Sequence, residues 1–131
     1  MPRLFAYGTL MFDAVFSAVC GGLCSSEEAR LAGYAHYPVR GHEFPGIVPK
    51  PGADTKGRLF VGIDDELWLR LDEFETDFYT RERVAVETRS GSIEAQTYIV
   101  ATRHYKHLEH RPWSPQAFAT HSLEQYLRKY A

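Results

Sequence analysis

Leu71-Asp72-Glu73-Phe74-Glu75 closes a run that starts at Asp64, and its reading decides the fold class and the site together. Asp64 is a suitable N-cap, and Asp65 and Glu66 suit the positive first turn, so residues 64–75 are predicted helical. Taking ~100° per residue with Leu67 at zero, Leu71 falls near ~40°, Phe74 near ~340° and Trp68 near ~100°. Glu75 lands near ~80°, inside this apolar arc, whereas Glu73 lies near ~240° with Leu69 on the outer side. Asp72 sits at the edge near ~140°. Of the three acids, Glu75 is the one expected to face inward.

An inward carboxylate costs free energy unless it is paired, hydrogen-bonded or protonated. The negative C-terminal end of a helix disfavours its ionisation further. Both effects raise a pKa, which is what a general acid/base near neutral pH requires. The competing reading keeps Glu75 structural, with helical phase lost at the terminus and the carboxylate paired to Arg81 or Arg83.

The rest of the chain frames this helix. Residues 3–7 and 58–63 read as short buried strands, and residues 30–37 as an aromatic-rich one. Met11, Phe12, Val15, Phe16 and Val19 recur at helical spacing until Gly21-Gly22 stops them. Residues 38–57 carry Pro38, Pro45, Pro49 and Pro51 among several glycines and are expected to be a loop, with brief pairing at Ile47-Val48. In residues 80–88, Val84 and Val86 alternate with Arg83 and Glu87 as in a half-buried strand. Ser90-Gly91-Ser92 turns the chain into a partner strand over residues 93–102. Residues 108–115 read as irregular and 115–130 as a terminal helix. About five strands, mostly antiparallel, with three helices imply an α+β domain whose sheet is curved or closed.

At 131 residues, 44% hydrophobic and 14% aromatic, the chain is expected to fold as one domain spanning residues 1–131. A net charge of −2 offers no footprint for a nucleic-acid backbone or an anionic membrane. No apolar run reaches the length of a membrane span, and Gly8 breaks the short N-terminal one, so a cytoplasmic location is expected. Cys20 and Cys24 form no CxxC pattern and read as reduced thiols. The oligomeric state has no signature in the sequence.

A second cue lies at Tyr7-Gly8-Thr9-Leu10. Gly8 allows a close approach that a side chain would block. If the turn leads into the Met11 helix, the N–H groups of Gly8, Thr9 and Leu10 converge on one spot suited to a carboxylate or an oxyanion. A plain structural turn is the alternative.

Taken together, Phe5-Ala6-Tyr7-Gly8-Thr9-Leu10, Pro45-Gly46-Ile47-Val48, Gly57-Arg58-Leu59-Phe60, Leu71-Asp72-Glu73-Phe74-Glu75, Tyr79-Thr80-Arg81 and the strand with Tyr98 resemble the γ-glutamylcyclotransferase-like superfamily, in its AIG2-like and γ-glutamylamine cyclotransferase branch. The resemblance covers roughly residues 3–100 and leaves the last thirty residues without a family signal. It implies a small, mostly antiparallel β-barrel flanked by helices. It also implies a pocket between the Tyr7–Leu10 loop and Glu75.

The implied reaction is a cofactor-independent cyclisation of a small γ-glutamyl amine or peptide to 5-oxoproline with release of the amine. Glu75 would be the catalytic base and acid. Tyr7, Gly8, Thr9, Leu10 and Tyr79 would contact substrate, with Tyr98 a further candidate for shaping the pocket. Thr76 stands where the family often has glycine, and Met11 where it often has lysine or arginine. Both adjoin the expected mouth and leave the leaving group open.

Three rival readings remain at this stage. A non-catalytic small-molecule binder of the same fold is the nearest. His104, His107 and His110 recur every third residue, yet they lack an HExxH pattern and precede Pro112, so surface histidines are preferred to metal ligands. Asp72 and Glu75 could form a glycosidase-like pair, but such acids usually approach a substrate from separate elements.

Overall fold

The computed structural model describes residues 2–128. Five strands close into a barrel in the order β1 (Arg3–Ala6), β3 (Pro45–Val61), β2 (Ser26–Pro38), β4 (Tyr79–Thr88) and β5 (Gly91–Val100). Four of the five seams are antiparallel, and the closing seam pairs β1 with β5 in parallel through Leu4 and Gln96. The expected mostly antiparallel barrel is therefore present, with one parallel seam.

Strand alternation builds two hydrophobic layers from single sequences. On β1, Phe5 and the following Tyr7 join Leu31, Ile47, Leu59, Val86 and Ile99 inside the barrel. Leu4 and Ala6 point the other way, into a layer shared with the helices. There Phe16 of α1 (Asp13–Cys20) stacks on Phe60 of β3 with centroids 4.3 Å apart. Each such fully buried ring contributes about 1.5–3 kcal/mol. Gly57 lets β1 close on β3: an added Cβ there would lie 2.3 Å from the Ala6 carbonyl oxygen.

Residues 38–57, expected to be a loop, instead supply most of a seventeen-residue strand, β3. Its pairing runs from Pro38 opposite Pro45 to Ser26 opposite Phe60, with a bulge between Ala32 and Tyr34. The prolines are tolerated because β1 reaches β3 only at residues 58–61. Over residues 45–56, β3 has β2 on one side only, and an edge strand needs no N–H on its open side.

Helix α2 (Asp65–Glu75) forms where the sequence placed it, and the Asp64 carboxylate accepts the Leu67 N–H at 2.9 Å as its N-cap. Trp68 and Leu71 are buried, Phe74 and Glu75 half-buried, and Glu73 and Leu69 exposed, as helical phase requires. The C-terminal segment departs from a single helix. It forms α3 (Pro115–His121) and α4 (Leu123–Arg128), separated at Ser122, whose ψ of −21° comes with φ at −130°. Serine competes with the helical backbone for hydrogen bonds, a weak point for a mid-helix position. Residues 129 and 130 of the expected helix lie outside the described residues. Among the described residues, no helix is long and apolar enough to cross a membrane.

Candidate active site

A cavity of about 310 Å³ opens where the end of β1, the end of α2 and the β2–β3 connection meet. Tyr7, Gly8, Thr9 and Leu10 line one side, and Glu75 and Tyr79 line the other. Two segments some seventy residues apart in sequence thus line one cavity.

The Tyr7–Leu10 wall is fixed by a short 3-10 turn over Thr9–Met11. Met11 N–H donates to Gly8 O at 3.0 Å, and Phe12 N–H donates to Thr9 O at 3.1 Å. The N–H groups of Thr9 and Leu10 precede the first bond of this turn, so the turn itself leaves them without a partner. Gly8 is required by packing: a Cβ would stand 2.9 Å from Pro45 Cγ. The turn passes directly into α1 through Phe12.

Glu75 is the last residue of α2. It is half-buried, with its open side on the cavity. Burial pushes its carboxyl up from 4.5 to about 8, and the neighbouring Asp72 carboxylate adds to the rise. The pairing of Glu75 with Arg81 or Arg83 does not form. Arg81 Nε lies 3.4 Å from Asp72 Oδ1, and its guanidinium sits 4.4 Å above the Trp68 ring. Among the described residues, no ion pair reaches Glu75.

Asp72 itself does not line the cavity. Its Oδ1 also accepts a 2.7 Å hydrogen bond from the Tyr98 hydroxyl. That engagement separates the two acids by role and leaves no glycosidase-like pair across the cavity.

The tyrosines present rings to the cavity while their hydroxyls bind protein. Tyr7 Oη donates to Tyr98 O at 2.5 Å, and Tyr79 Oη donates to Pro45 O at 2.7 Å. Burial raises the pKa of Tyr7, Tyr79 and Tyr98, and the charge of Glu75 raises all three further. That shared influence places the three phenols within electrostatic reach of one carboxylate.

Sequence reasoning missed part of the lining. Val39, His42 and Phe44 come from the β2–β3 connection, Phe78 from the turn after α2, and Tyr126 from α4. The Tyr126 hydroxyl lies 3.2 Å from Thr9 Oγ1, so α4 contributes to the wall beside Thr9. Helical periodicity marks Tyr126 only as a buried position; nothing in it signals a cavity.

The three histidines do not converge. His104 stacks on Phe78 at 4.6 Å, His107 tilts against His104 at 5.7 Å, and His110 packs on Tyr37. Among the described residues, no group of three or more potential ligands is placed to hold a metal ion.

A closed five-stranded barrel whose half-buried Glu75 carboxylate shares a cavity with a glycine-containing turn is a recognisable arrangement. The model of the family described as "Gamma-glutamyl cyclotransferase, AIG2-like" matches residues 4–115, and the chain belongs to that family. An "AIG2-like protein D" from Arabidopsis thaliana is 29% identical over 106 residues, covering 79% of this chain and 70% of the relative. A second Arabidopsis thaliana protein, solved in solution, superposes with a TM-score of 0.76 at 18% identity, over 98% of this chain and 87% of that one. A solved structure named "Gamma-glutamyl cyclotransferase" gives a TM-score of 0.69 at 19% identity, over 98% and 85% of the two chains. At these identities the structural likeness establishes the shared fold.

Proposed function

We propose that this chain is a γ-glutamyl cyclotransferase, converting a small γ-glutamyl amide to 5-oxoproline and a free amine with Glu75 as proton shuttle. The observation that carries the reading is the Glu75 carboxyl itself: without an ion pair among the described residues, raised to about 8, and open to a cavity shared with the Tyr7–Leu10 turn. Membership of the family supports the reaction class.

The chemistry follows from that placement. Ionised Glu75 takes a proton from the substrate α-ammonium, and the freed amine attacks its own γ-carbonyl carbon. A carbon–nitrogen bond forms, and the carbonyl oxygen becomes an oxyanion. The Thr9 and Leu10 N–H groups are the donors best placed by sequence and turn geometry to meet an anionic group of the substrate. Collapse of the intermediate breaks the original amide bond, and protonated Glu75 supplies the leaving nitrogen. Over the cycle, protons shed by the attacking nitrogen pass to the leaving amine, and Glu75 returns to its starting form.

A group that is first base and then acid works best with a pKa near ambient pH. The ring closure is intramolecular, so holding the substrate folded on itself supplies much of the rate. The cavity walls would do that holding, with the rings of Tyr7, Tyr79 and Tyr98 limiting the space.

The test is release of 5-oxoproline from a panel of γ-glutamyl amides and dipeptides. Glu75→Gln should lower turnover by about 10²–10⁴-fold, with an unchanged circular dichroism spectrum. Wild-type protein that binds the panel but forms no 5-oxoproline would identify a binder of the same fold instead.

A further inference from the structure

The cyclisation moves two protons, whereas the cavity holds one carboxylate. The α-nitrogen enters as an ammonium with three hydrogens and ends as a lactam N–H with one. The amide nitrogen enters with one hydrogen and departs as an ammonium with three. One carbon–nitrogen bond forms and one breaks, with no change of oxidation state. Glu75 holds the first proton from the moment the amine is freed until the leaving nitrogen takes it. Through that interval the cyclising nitrogen still carries a surplus proton, and Glu75 has no room for it.

Few other side chains of the lining can accept one. Tyr7, Tyr79 and Tyr98 donate their hydroxyl protons to Tyr98 O, Pro45 O and Asp72 Oδ1. Burial and the nearby Glu75 charge keep all three phenols protonated. The Tyr126 hydroxyl shares a hydrogen bond with Thr9 Oγ1, and a neutral hydroxyl is no base near neutral pH. Among the described residues, no lysine or arginine lines the cavity, and Glu75 is its one carboxylate. What remains is His42. Imidazole is the side chain that takes and gives protons in the neutral range.

The structure holds this ring in place. His42 ends a tight turn in which its N–H donates to Val39 O at 3.0 Å, with Gly41 at a φ of 79° just before it. Its ring lies against Phe44 with centroids 4.7 Å apart, and Phe44 meets Phe78 edge to face at 6.5 Å. The connection that carries it is tied to the segment before α3. Arg40 N–H donates to His107 O at 2.7 Å, and the Trp113 indole N–H donates to Glu43 O at 2.9 Å. Glu75 is half-buried and His42 exposed, so one cavity joins an interior proton site to a site in contact with solvent.

Resting on the cyclotransferase reading, we propose that His42 is a second catalytic group, which takes the surplus proton from the cyclising nitrogen while Glu75 still holds the first. Transfer runs directly or across one water. His42 then releases the proton to the amine leaving by the mouth, and both groups return to their starting forms. The two protons shed by one nitrogen are thus the two gained by the other.

The test uses whichever compound of the γ-glutamyl panel wild-type protein turns over fastest, in dilute buffer at constant pH. His42→Gln keeps a polar side chain on the rim but no basic nitrogen. Its kcat should fall by about tenfold or more with KM little changed, since the loss falls on a chemical step. Added imidazole should restore that rate with a saturating dependence, and should leave wild-type protein and Glu75→Gln unchanged. A merely structural histidine would give no such rescue.

A His42→Gln rate within about twofold of wild type would overturn the proposal and leave the cyclotransferase reading standing, with Glu75 handling both protons in turn. A loss that imidazole does not restore would overturn it too, because His42 would then act through the shape of the rim. No turnover of any panel compound by wild-type protein would remove the reaction and this role together.

Discussion

The Tyr98 hydroxyl donates to Asp72 Oδ1 across 2.7 Å, tying strand β5 to the helix that ends at Glu75. The same oxygen lies 3.4 Å from Arg81 Nε on β4. Asp72 is thereby held in place one helical turn before Glu75, and its charge contributes to the raised pKa of that residue.

Replacing Asp72 with asparagine should therefore move the pH–rate profile. In the proposed mechanism ionised Glu75 accepts the substrate proton, so kcat/KM should rise with pH through a limb near 8 in the wild type. Asparagine keeps an oxygen for Tyr98 but removes the charge, and the limb should shift to lower pH. A limb at the same pH would show that the Asp72 charge does not reach Glu75.

Stability should follow the same proton. The folded state raises the Glu75 carboxyl from 4.5 to about 8, so it binds the proton more tightly than the unfolded chain does. That contribution is fully present below pH about 4.5 and is lost as pH rises through about 8. The urea midpoint of Glu75→Gln, compared with wild type, should gain steadily across this window. Parallel pH dependences for the two proteins would place the titrating group elsewhere.

Thr76 offers a third measurement. Its φ of 63° and ψ of −170° make it the one non-glycine residue with positive φ among the described residues. This region is nearly reserved for glycine, and a side chain there costs about 1–3 kcal/mol. Thr76→Gly should raise the free energy of unfolding by about 1 kcal/mol after the greater freedom of unfolded glycine is subtracted. Denaturant unfolding that shows no gain would mean that the Phe78 N–H to Thr76 Oγ1 contact at 3.4 Å offsets the backbone cost.

The sequence made the local elements legible wherever one physical rule dominated. Helical phase separated Glu75 from Glu73, and the Asp64 cap formed as its chemistry requires. The departure at Thr76 was visible as a missing glycine, and the positive φ explains why glycine suits that position. The proline-rich stretch before Gly57 misled because proline tolerance depends on whether a strand has one neighbour or two, a property of the whole barrel. Val39, Phe44 and Phe78 were illegible for a related reason: apolar side chains read as ordinary core until tertiary folding places them on a cavity.

Tyr126 and Thr9 meet through their hydroxyls although 117 positions separate them. The family match covers residues 4–115, so Thr9 lies inside the stretch by which the family is recognised and Tyr126 beyond it. A change of residue at position 126 would alter the cavity wall beside Thr9 while leaving Glu75 and the Tyr7–Leu10 turn untouched. Swapping the segment after residue 115 between family members becomes a way to exchange preferences without rebuilding the barrel.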